Sequence, residues 1–336
     1  MKKQWSNFNL LIIGITIGIV CLLPSVIQNS FMVYMLLLIF FWALLGEAWN
    51  IIGGFAGQLS LGHAAYFGIG AYTSTLLSIN YGVSPWLGMI VGGFLAMISA
   101  VAVGYPCFRL KEVYYSLATI VFGEMMRLTF ISELARPWTG GAQGLIIQIK
   151  DNPLQFQFTN YEPYYYLIFA MMLASIFISY MIMNSKFGLD LLAIRDDEDA
   201  AKSLGIDTQK AKLKASAISA FLAGIAGTFY AQFFGYIDPN ATMSYVISLQ
   251  IVLVTLIGGK ATVMGPILGS IVMTPIDAYT SMMLGGTYQG LHLMAYGMVI
   301  VVIVMLKPQG LIVLTGRVFE RMQALIRQTP ADRSGV

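Results

Sequence analysis

The sequence predicts an all-α polytopic membrane protein with about ten transmembrane helices (eight to ten), some of them discontinuous. Three observations lead to this fold class. The 336 residues are 57% hydrophobic and only 10% charged, whereas soluble domains carry about 25% charged residues. Apolar runs of about 20 residues, the length that crosses a bilayer as a helix, recur along the chain. These runs lack the two-residue alternation of membrane β-strands and are about twice as long, so helices are favoured.

Ten segments have the length and apolarity of a membrane-spanning helix. In chain order they cover residues 9–29, 31–52, 58–79, 85–106, 113–131, 162–183, 213–236, 244–258, 262–284 and 288–306. If the pair around residues 45–79 were re-entrant, two crossings would vanish together and both termini would stay on one side. The sequence thus predicts a transmembrane domain, residues 1–306, followed by a tail, residues 307–336.

The distribution of basic residues predicts that the N and C termini are cytoplasmic. With the amino terminus inside, only Arg127, Arg136 and Lys150 of the 19 lysines and arginines fall outside, which leaves 16 on the cytoplasmic side. Cytoplasmic loops of correctly oriented membrane proteins carry this excess. The tail and the loop 184–212, which we call the connector, are therefore both expected on the cytoplasmic face.

Residues 184–214, which are the connector and the two residues after it, carry six basic and six acidic residues. The acidic cluster of the connector, residues 196–199, lies where the helix dipole favours negative charge in a first turn. Gly205 lies where a helix would end. We predict a compact helix at about residues 196–204 that forms a docking surface, or alternatively a solvated loop that only joins two spans.

Three stretches together resemble one family. They are GQLSLGHAAYFGIGAY (57–72), GLDLLAIRDDEDAAKSLGI (188–206) and GGKATVMGPILGS (258–270). In order and spacing these stretches resemble the LivM-type permease subunits of ABC importers for branched-chain amino acids. The resemblance covers residues 31 to 310, and it is specific as a set, since a single glycine-rich patch in a membrane helix is weak evidence.

The resemblance implies a permease subunit of an ATP-driven importer for branched-chain or other hydrophobic amino acids, in a bacterial cytoplasmic membrane. It implies a second homologous permease, two cytoplasmic ATPases and an extracytoplasmic solute-binding protein as partners, and no nucleic acid. The chain contains no G-x-x-x-x-G-K-[ST] phosphate loop, so ATP would be bound by the partners. We expect no catalytic residue, metal or cofactor in this chain. Importers for urea, short amides or aromatic acids remain alternatives.

The resemblance also places the segment that such permeases insert into a groove of the ATPase at residues 188–206. The matching residues are Gly188, Arg195, Asp197, Glu198, Ala200, Ala201 and Gly205. Small residues would allow close approach to the ATPase, and the flanking charges would fix the register. A rigid segment would pass ATPase closure to the spans as rigid-body motion.

The glycine-rich stretch at residues 53–63 is expected to line the translocation pathway. Glycine lets helices pack closely and lets a helix break within the membrane, provided that protein or a water-filled cavity satisfies the exposed backbone. The candidate residues are Gly57, Gln58, Ser60, Gly62 and His63. The alternative is a helix crossing in which these polar groups bond internally. A second junction, GGKA at residues 258–261, shares the pattern G-G-x-A with this stretch.

Ionisable residues within predicted spans are further candidates, because charge is costly at membrane depth. Glu47 and Asp277 have no oppositely charged residue one helical turn away. They are predicted to line the pathway or to bond to neighbouring helices. Glu124 and Arg127, three residues apart on one helical face, are predicted to neutralise each other. His292 is predicted to be interfacial.

Two other function classes remain open from the sequence. Ser60 and His63 could form the nucleophile and base of an intramembrane enzyme, although no third group that would orient the base is evident. A secondary carrier or channel would move solute without ATP. Uptake by the purified chain alone would identify the carrier, and a Ser60→Ala variant that retains uptake would exclude the enzyme.

Overall fold

The computed structural model describes most of the chain. The described residues are 18, 20–27, 29–109, 112–147, 152–284, 294, 297, 298, 301, 302, 305 and 310–312. His292 and most of the predicted spans 9–29 and 288–306 lie outside the described residues, as does the tail apart from residues 310–312.

The described chain is predominantly helical. Its helices are α1 (Ser30–Trp49), a π-helical extension of α1 (Asn50–Phe55), α2 (His63–Tyr81), α3 (Pro85–Cys107), α4 (Glu112–Ile131), α5 (Arg136–Thr139), α6 (Tyr161–Met183), α7 (Lys186–Asp196), α8 (Glu198–Ser203), α9 (Thr208–Phe234), α10 (Pro239–Thr242), α11 (Tyr245–Gly258) and α12 (Gly265–Leu284). Two short strands, β1 (Leu145–Ile146) and β2 (Tyr236–Ile237), pair antiparallel beyond the end of α9.

Five of the described helical segments are long and apolar enough to cross a membrane. They are Ser30–Phe55, Pro85–Cys107, Tyr161–Met183, Thr208–Phe234 and Pro239–Gly258. Helices α2, α4 and α12 coincide with three further predicted spans, although α2 begins at residue 63 instead of 58. The prediction of an all-α multi-pass membrane protein is thus confirmed. The number of about ten spans and the side of each terminus stay predictions.

Close helix packing also involves glycines beyond residues 53–63. Helix α9 packs against α2 and α3. A side-chain carbon added at Gly70 of α2 would collide with the Gly224 carbonyl of α9, and one added at Gly92 of α3 would press on Gly70. Missing side chains let membrane helices approach this closely. Helix α1 packs on α6, α11 and α12 at the other side of the core.

The connector contains two helices instead of the one predicted at residues 196–204. Ser185 caps α7 by accepting the Gly188 N–H at 3.2 Å. Asp197 caps α8, because its carboxylate accepts the backbone N–H groups of Asp199 and Ala200, each at 3.0 Å. A residue that caps a helix in this way has an extended backbone conformation. Asp197 has this conformation, so it ends α7 and starts α8.

Candidate functional site

The helix break that the glycine-rich stretch predicted lies between the π-helical extension, which ends at Phe55, and α2, which starts at His63. We call residues 56–62 the break. The predicted span 58–79 is therefore wrong at its start, because residues 58–62 are not helical. Gly57 has a φ of 71°, which side-chain-bearing residues rarely adopt. The π-helical turns before it are uncommon and occur frequently at functional sites.

The backbone of the break is satisfied from within the chain. The Trp49 indole donates to the Ser60 carbonyl at 2.7 Å. The Leu61 N–H donates to the Thr119 hydroxyl of α4 at 3.0 Å. Gly62 lies so close to the Thr119 carbonyl that an added side-chain carbon would collide with it. Helices α1 and α4 thus hold a non-helical segment that could not exist in contact with lipid tails.

Ser60 and His63 belong to a buried chain of hydrogen bonds across three helical elements. The Ser219 hydroxyl of α9 donates to the Ala48 carbonyl of α1 at 2.6 Å. Ser219 therefore accepts from His63 Nε2–H at 2.7 Å, which leaves Nδ1 to accept from the Ser60 hydroxyl at 3.0 Å. The partner of Nε2 is a serine, so no carboxylate orients the ring as in a catalytic triad.

The other pathway candidates lie at different places in the bundle. Gln58 is buried in the break, with its side-chain amide 3.5 Å from the Ala56 carbonyl. Glu47, on α1, is fully buried and accepts a hydrogen bond from Ser179 of α6 at 2.7 Å. Its Oε1 atom has no hydrogen-bond partner among the described residues. Asp277 is half-buried beside a narrow crevice between α1, α11 and α12.

The two Gly-Gly junctions meet in space through a single side chain. Asn50, fully buried in the π-helical turn, donates from Nδ2 to the Thr262 carbonyl at 2.9 Å. Its Oδ1 accepts the Ala261 N–H, also at 2.9 Å. Ala261 has a φ of 62°, a left-handed conformation unusual for alanine. Sequence reasoning missed Asn50, and the G-G-x-A pattern shared by both junctions was the signal for this contact.

The connector contacts the break directly. A side-chain carbon added at Gly57 would lie 2.8 Å from Arg195 Cγ and 3.3 Å from its Cα. Arg195 is the penultimate residue of α7, and Leu191 and Ile194 of the same helix are buried in the protein core. The end of α7 therefore packs on the break with no space for a side chain between them.

An ion pair fixes α8 to α9. The Nζ atom of Lys212 lies 2.8 Å from Glu198 Oε1, and the Lys212 side chain is only 1% exposed. The same ammonium donates to the Phe108 carbonyl at 3.4 Å, and Lys202 adds a second ion pair to Glu198 at 3.1 Å. Burial tends to raise the pKa of the Glu198 carboxyl, but hydrogen bonds and charge from Lys212 and Lys202 outweigh this effect and lower that pKa.

The outer surface of the connector is partly apolar. Leu189 is 63% exposed and Leu204 is 81% exposed, and Ala200 lies between them in sequence and is also exposed. Gly188 and Ala201, which the resemblance offered for close approach to a partner, face this chain instead. Ala201 is 2% exposed and packs in the core next to α7.

Glu124 and Arg127 form the predicted ion pair on α4. Arg127 Nε donates to Glu124 Oε2 at 3.0 Å, and Arg127 Nη2 donates to Oε1. Arg127 also bonds to the Asn240 side chain of α10. Within the described part of the chain, no cluster of three or more histidine, cysteine, aspartate or glutamate side chains could hold a metal ion.

Comparison with known proteins finds similarity along most of the chain. Residues 31–306 match the family model described as the permease component of the branched-chain amino acid transport system. The high-affinity branched-chain amino acid transport system permease protein LivM of Escherichia coli is 28% identical over 81% of this chain and 68% of its own length. A probable LivM of Methanocaldococcus jannaschii is 27% identical over 78% of this chain and 81% of its own. The permease protein LivH of Salmonella typhimurium is 22% identical over 81% and 91%. No solved structure matches the chain significantly.

Proposed function

The chain belongs to the family of permease components of branched-chain amino acid transport systems, and on this premise we propose that it is the transmembrane permease subunit of an ATP-driven ABC importer. The cargo is a branched-chain or other hydrophobic amino acid. Transport proceeds by alternating access, in which nucleotide-driven closure of the ATPases moves the connector and switches the side to which the pathway opens.

The exposed leucines of the connector carry this proposal. Leu189 lies on α7 and Leu204 directly follows α8, and both of these short helices are rich in charge. Exposed apolar residues rimmed by polar ones are typical of protein–protein interaction sites. We propose that residues 188–206 dock on a cytoplasmic ATPase, with Asp197 and Ala200 at the exposed surface.

Two internal contacts support the transmission of motion from the connector to the spans. The first is the contact of Arg195 with Gly57, which joins α7 to the break. The second is the ion pair of Glu198 with Lys212, which joins α8 to α9. A push on the connector would reach both elements without an intervening flexible loop. Gly205, with a φ of 86°, follows α8 and sets the turn that leads from α8 to α9.

The pathway is proposed to pass the break and its surroundings. The residues assigned to it are Gly57, Gln58, Ser60, Gly62, His63, Glu47 and Asp277. The internal bonds of Ser60 and His63 favour a role in holding the pathway wall in shape, whereas the half-buried Leu61 borders open space. No cofactor is assigned to this chain.

The proposed partners are a second homologous permease, two ATPases that bind ATP, and an extracytoplasmic solute-binding protein. The chain aligns with both LivM and LivH proteins over 81% of its length, which supports a system with two related permeases. We place the assembly in the bacterial cytoplasmic membrane, with both termini of this chain inside.

Reconstitution in proteoliposomes tests this function. The chain is assembled with the partner permease, the ATPases and the binding protein of its own organism, and uptake of labelled leucine is measured with competition by urea. We expect uptake that needs ATP and binding protein and that unlabelled leucine, but not urea, suppresses. Competition by urea alone would favour an amide importer, and uptake by the chain without ATPases would establish a secondary carrier.

The docking role of the connector has a matched pair of variants. Leu204→Asp places a charge on the exposed connector surface, and Leu134→Asp does the same at an equally exposed site, 85% exposed, beyond α4. We expect Leu204→Asp to weaken the binding of the ATPase to the detergent-solubilised permeases about tenfold, the equivalent of about 1.4 kcal/mol of docking energy. Leu134→Asp should leave it unchanged. Equal effects of the two variants would argue against docking at the connector.

A further inference from the structure

A cavity of about 190 Å³ lies where the break, α4 and α11 meet. Its lining combines three apolar side chains with three polar ones: Leu61, Ile120 and Met243, and Glu124, Tyr245 and Ser248. Binding sites for small molecules typically have this mixture of apolar walls and a few placed polar groups. The cavity lies beside the break without including Ser60 or His63.

The charge beside this cavity is accessible. The Glu124 side chain is 44% exposed and that of Arg127 is 23% exposed, although both belong to a predicted membrane span. Their neighbours on α4 are exposed and apolar: Val121, Met125 and Leu128. An ionised pair facing lipid tails would be expensive, so charged residues in spans face water-filled cavities or other protein. This face of α4 therefore borders a water-filled cavity or another protein.

The geometry of the pair keeps the carboxylate in place. Arg127 holds Glu124 through two hydrogen bonds, and Asn240 holds Arg127 from α10. On the opposite wall, the Ser248 hydroxyl accepts the Ala64 N–H at 2.9 Å, which fixes Ser248 against the first turn of α2. A preorganised site of this kind binds without the cost of ordering its own side chains.

We propose that this cavity is a transient binding site for the transported molecule, a free α-amino acid with an aliphatic side chain. The cargo ammonium group contacts the Glu124 carboxylate, and the aliphatic side chain contacts Leu61 and Ile120. The hydroxyl groups of Tyr245 and Ser248 donate to the cargo carboxylate. This assignment rests on the proposed importer function, and it moves recognition within the permease from Ser60 and His63 to α4 and α11.

Gly123 makes the site open to a direct test. It lines the cavity, and a side-chain carbon added there would have Gly62 Cα, at 3.7 Å, as its nearest neighbour. This is an ordinary contact distance. Larger side chains at position 123 can therefore occupy the cavity without displacing the backbone.

The experiment measures leucine imported per ATP hydrolysed by the complete transporter in proteoliposomes. Glu124→Gln should lower this ratio about tenfold, the loss expected for one hydrogen bond between charged groups, and Glu124→Asp should restore part of it. Gly123→Ala and Gly123→Leu should lower it progressively with side-chain size. The control is Glu133→Gln, which breaks an i,i+3 ion pair with Arg136 at an 85% exposed residue outside the cavity. It should import like the wild type.

The outcomes separate this site from the importer function. If the wild type imports leucine and both Glu124→Gln and Gly123→Leu match it, the site is overturned and the importer function stands. If the wild type imports no leucine, the proposed cargo fails and the site fails with it. If the Glu124→Gln transporter does not assemble, leucine import by Gly123→Ala and Gly123→Leu tests the site in its place. A ratio that drops equally in Glu133→Gln would show a general charge effect and would also overturn the site.

Discussion

The two ion pairs at Lys212–Glu198 and Glu124–Arg127 have similar chemistry and opposite surroundings. Lys212 is 1% exposed, and its ammonium is enclosed by Glu198 and the Phe108 carbonyl. Glu124 is 44% exposed beside an open cavity. The first pair joins two helices of the same chain, α8 and α9, through a buried ammonium. The second keeps a carboxylate available to a molecule from outside.

The same contrast separates the hydroxyl groups of the two regions. Ser60 and Ser219 complete a closed set of bonds around His63, whereas Tyr245 and Ser248 face the cavity. A buried polar network that is fully satisfied makes one conformation rigid. Substitution of His63 or Lys212 should therefore reduce stability, and substitution at the cavity should reduce transport.

Lys212→Met should have the largest effect on stability. It leaves Glu198 without its buried partner, and because Glu198 is 31% exposed the loss should be about 3 kcal/mol, the lower end for breaking a buried pair. Lys210→Met is the control, since Lys210 is 78% exposed in its pair with Asp207. The free energy of unfolding of the detergent-solubilised chain is compared for the two variants. Equal losses would contradict the distinction between the buried charge of Lys212 and the exposed charge of Lys210.

His63→Leu should cost about 2 kcal/mol of unfolding free energy, because the Ser60 and Ser219 hydroxyls lose a buried partner. Leucine import per folded transporter should change little. Unfolding of the chain and import by the reconstituted complex are measured on the same preparation. Normal stability with lost import would place the His63 imidazole in contact with the cargo. His63 would then share the role proposed for Glu124.

Gly57→Ala should cost about 1 kcal/mol more than Gly82→Ala. Both glycines have a positive φ, 71° and 63°, so both substitutions carry the left-handed penalty of about 1–2 kcal/mol. Only Gly57 lies against Arg195, and Gly82 has open space around it. The difference between the two variants isolates the contact of the break with the connector, and unfolding in detergent measures it. An equal cost would mean that Arg195 moves aside freely.

The pH dependence of Glu198 should give the smallest effect. Its folded pKa is lowered, so its ion pairs stabilise the protein above the ordinary glutamate pKa of about 4.3, and this contribution is lost as the pH falls through the lower folded value. The difference in unfolding free energy between wild type and Glu198→Gln should shrink from pH 7 towards pH 3. A constant difference across this range would show that charge is not what Glu198 contributes.

Much of the fold could be predicted from the sequence, because length and apolarity decide which segments become membrane helices. The break could be predicted too, since Gly57 and its polar neighbours permit one. Its position could not be predicted, because the break is held by Trp49 of the preceding helix and by Thr119, which is 58 residues from Leu61 in the sequence. Helix α7 was missed as a whole, because its only start signal is a serine cap, Ser185.

The candidate site was less predictable than the fold. The pairing of Glu124 with Arg127 follows from their spacing on one helix. The Glu124 carboxylate stays accessible because a cavity lies between α4 and α11. Met243 and Tyr245, which line that cavity, are more than 100 residues away in sequence. The position of Ala201 could not be predicted either. A small residue in a charged helix can face a partner protein or the core of its own chain. Only the packing of α8 on the protein settles that choice.

The bond between Asn50 and residues 261 and 262 has a consequence for biosynthesis. The Asn50 amide enters the membrane at the end of α1, yet both of its partners are made more than 200 residues later. Until then this amide must be hydrated or held by the insertion machinery, because hydrocarbon offers it no partner. Closure of the amino-terminal half around Asn50 therefore waits for synthesis of the carboxyl-terminal third, which makes final assembly of the bundle a late, post-insertion event.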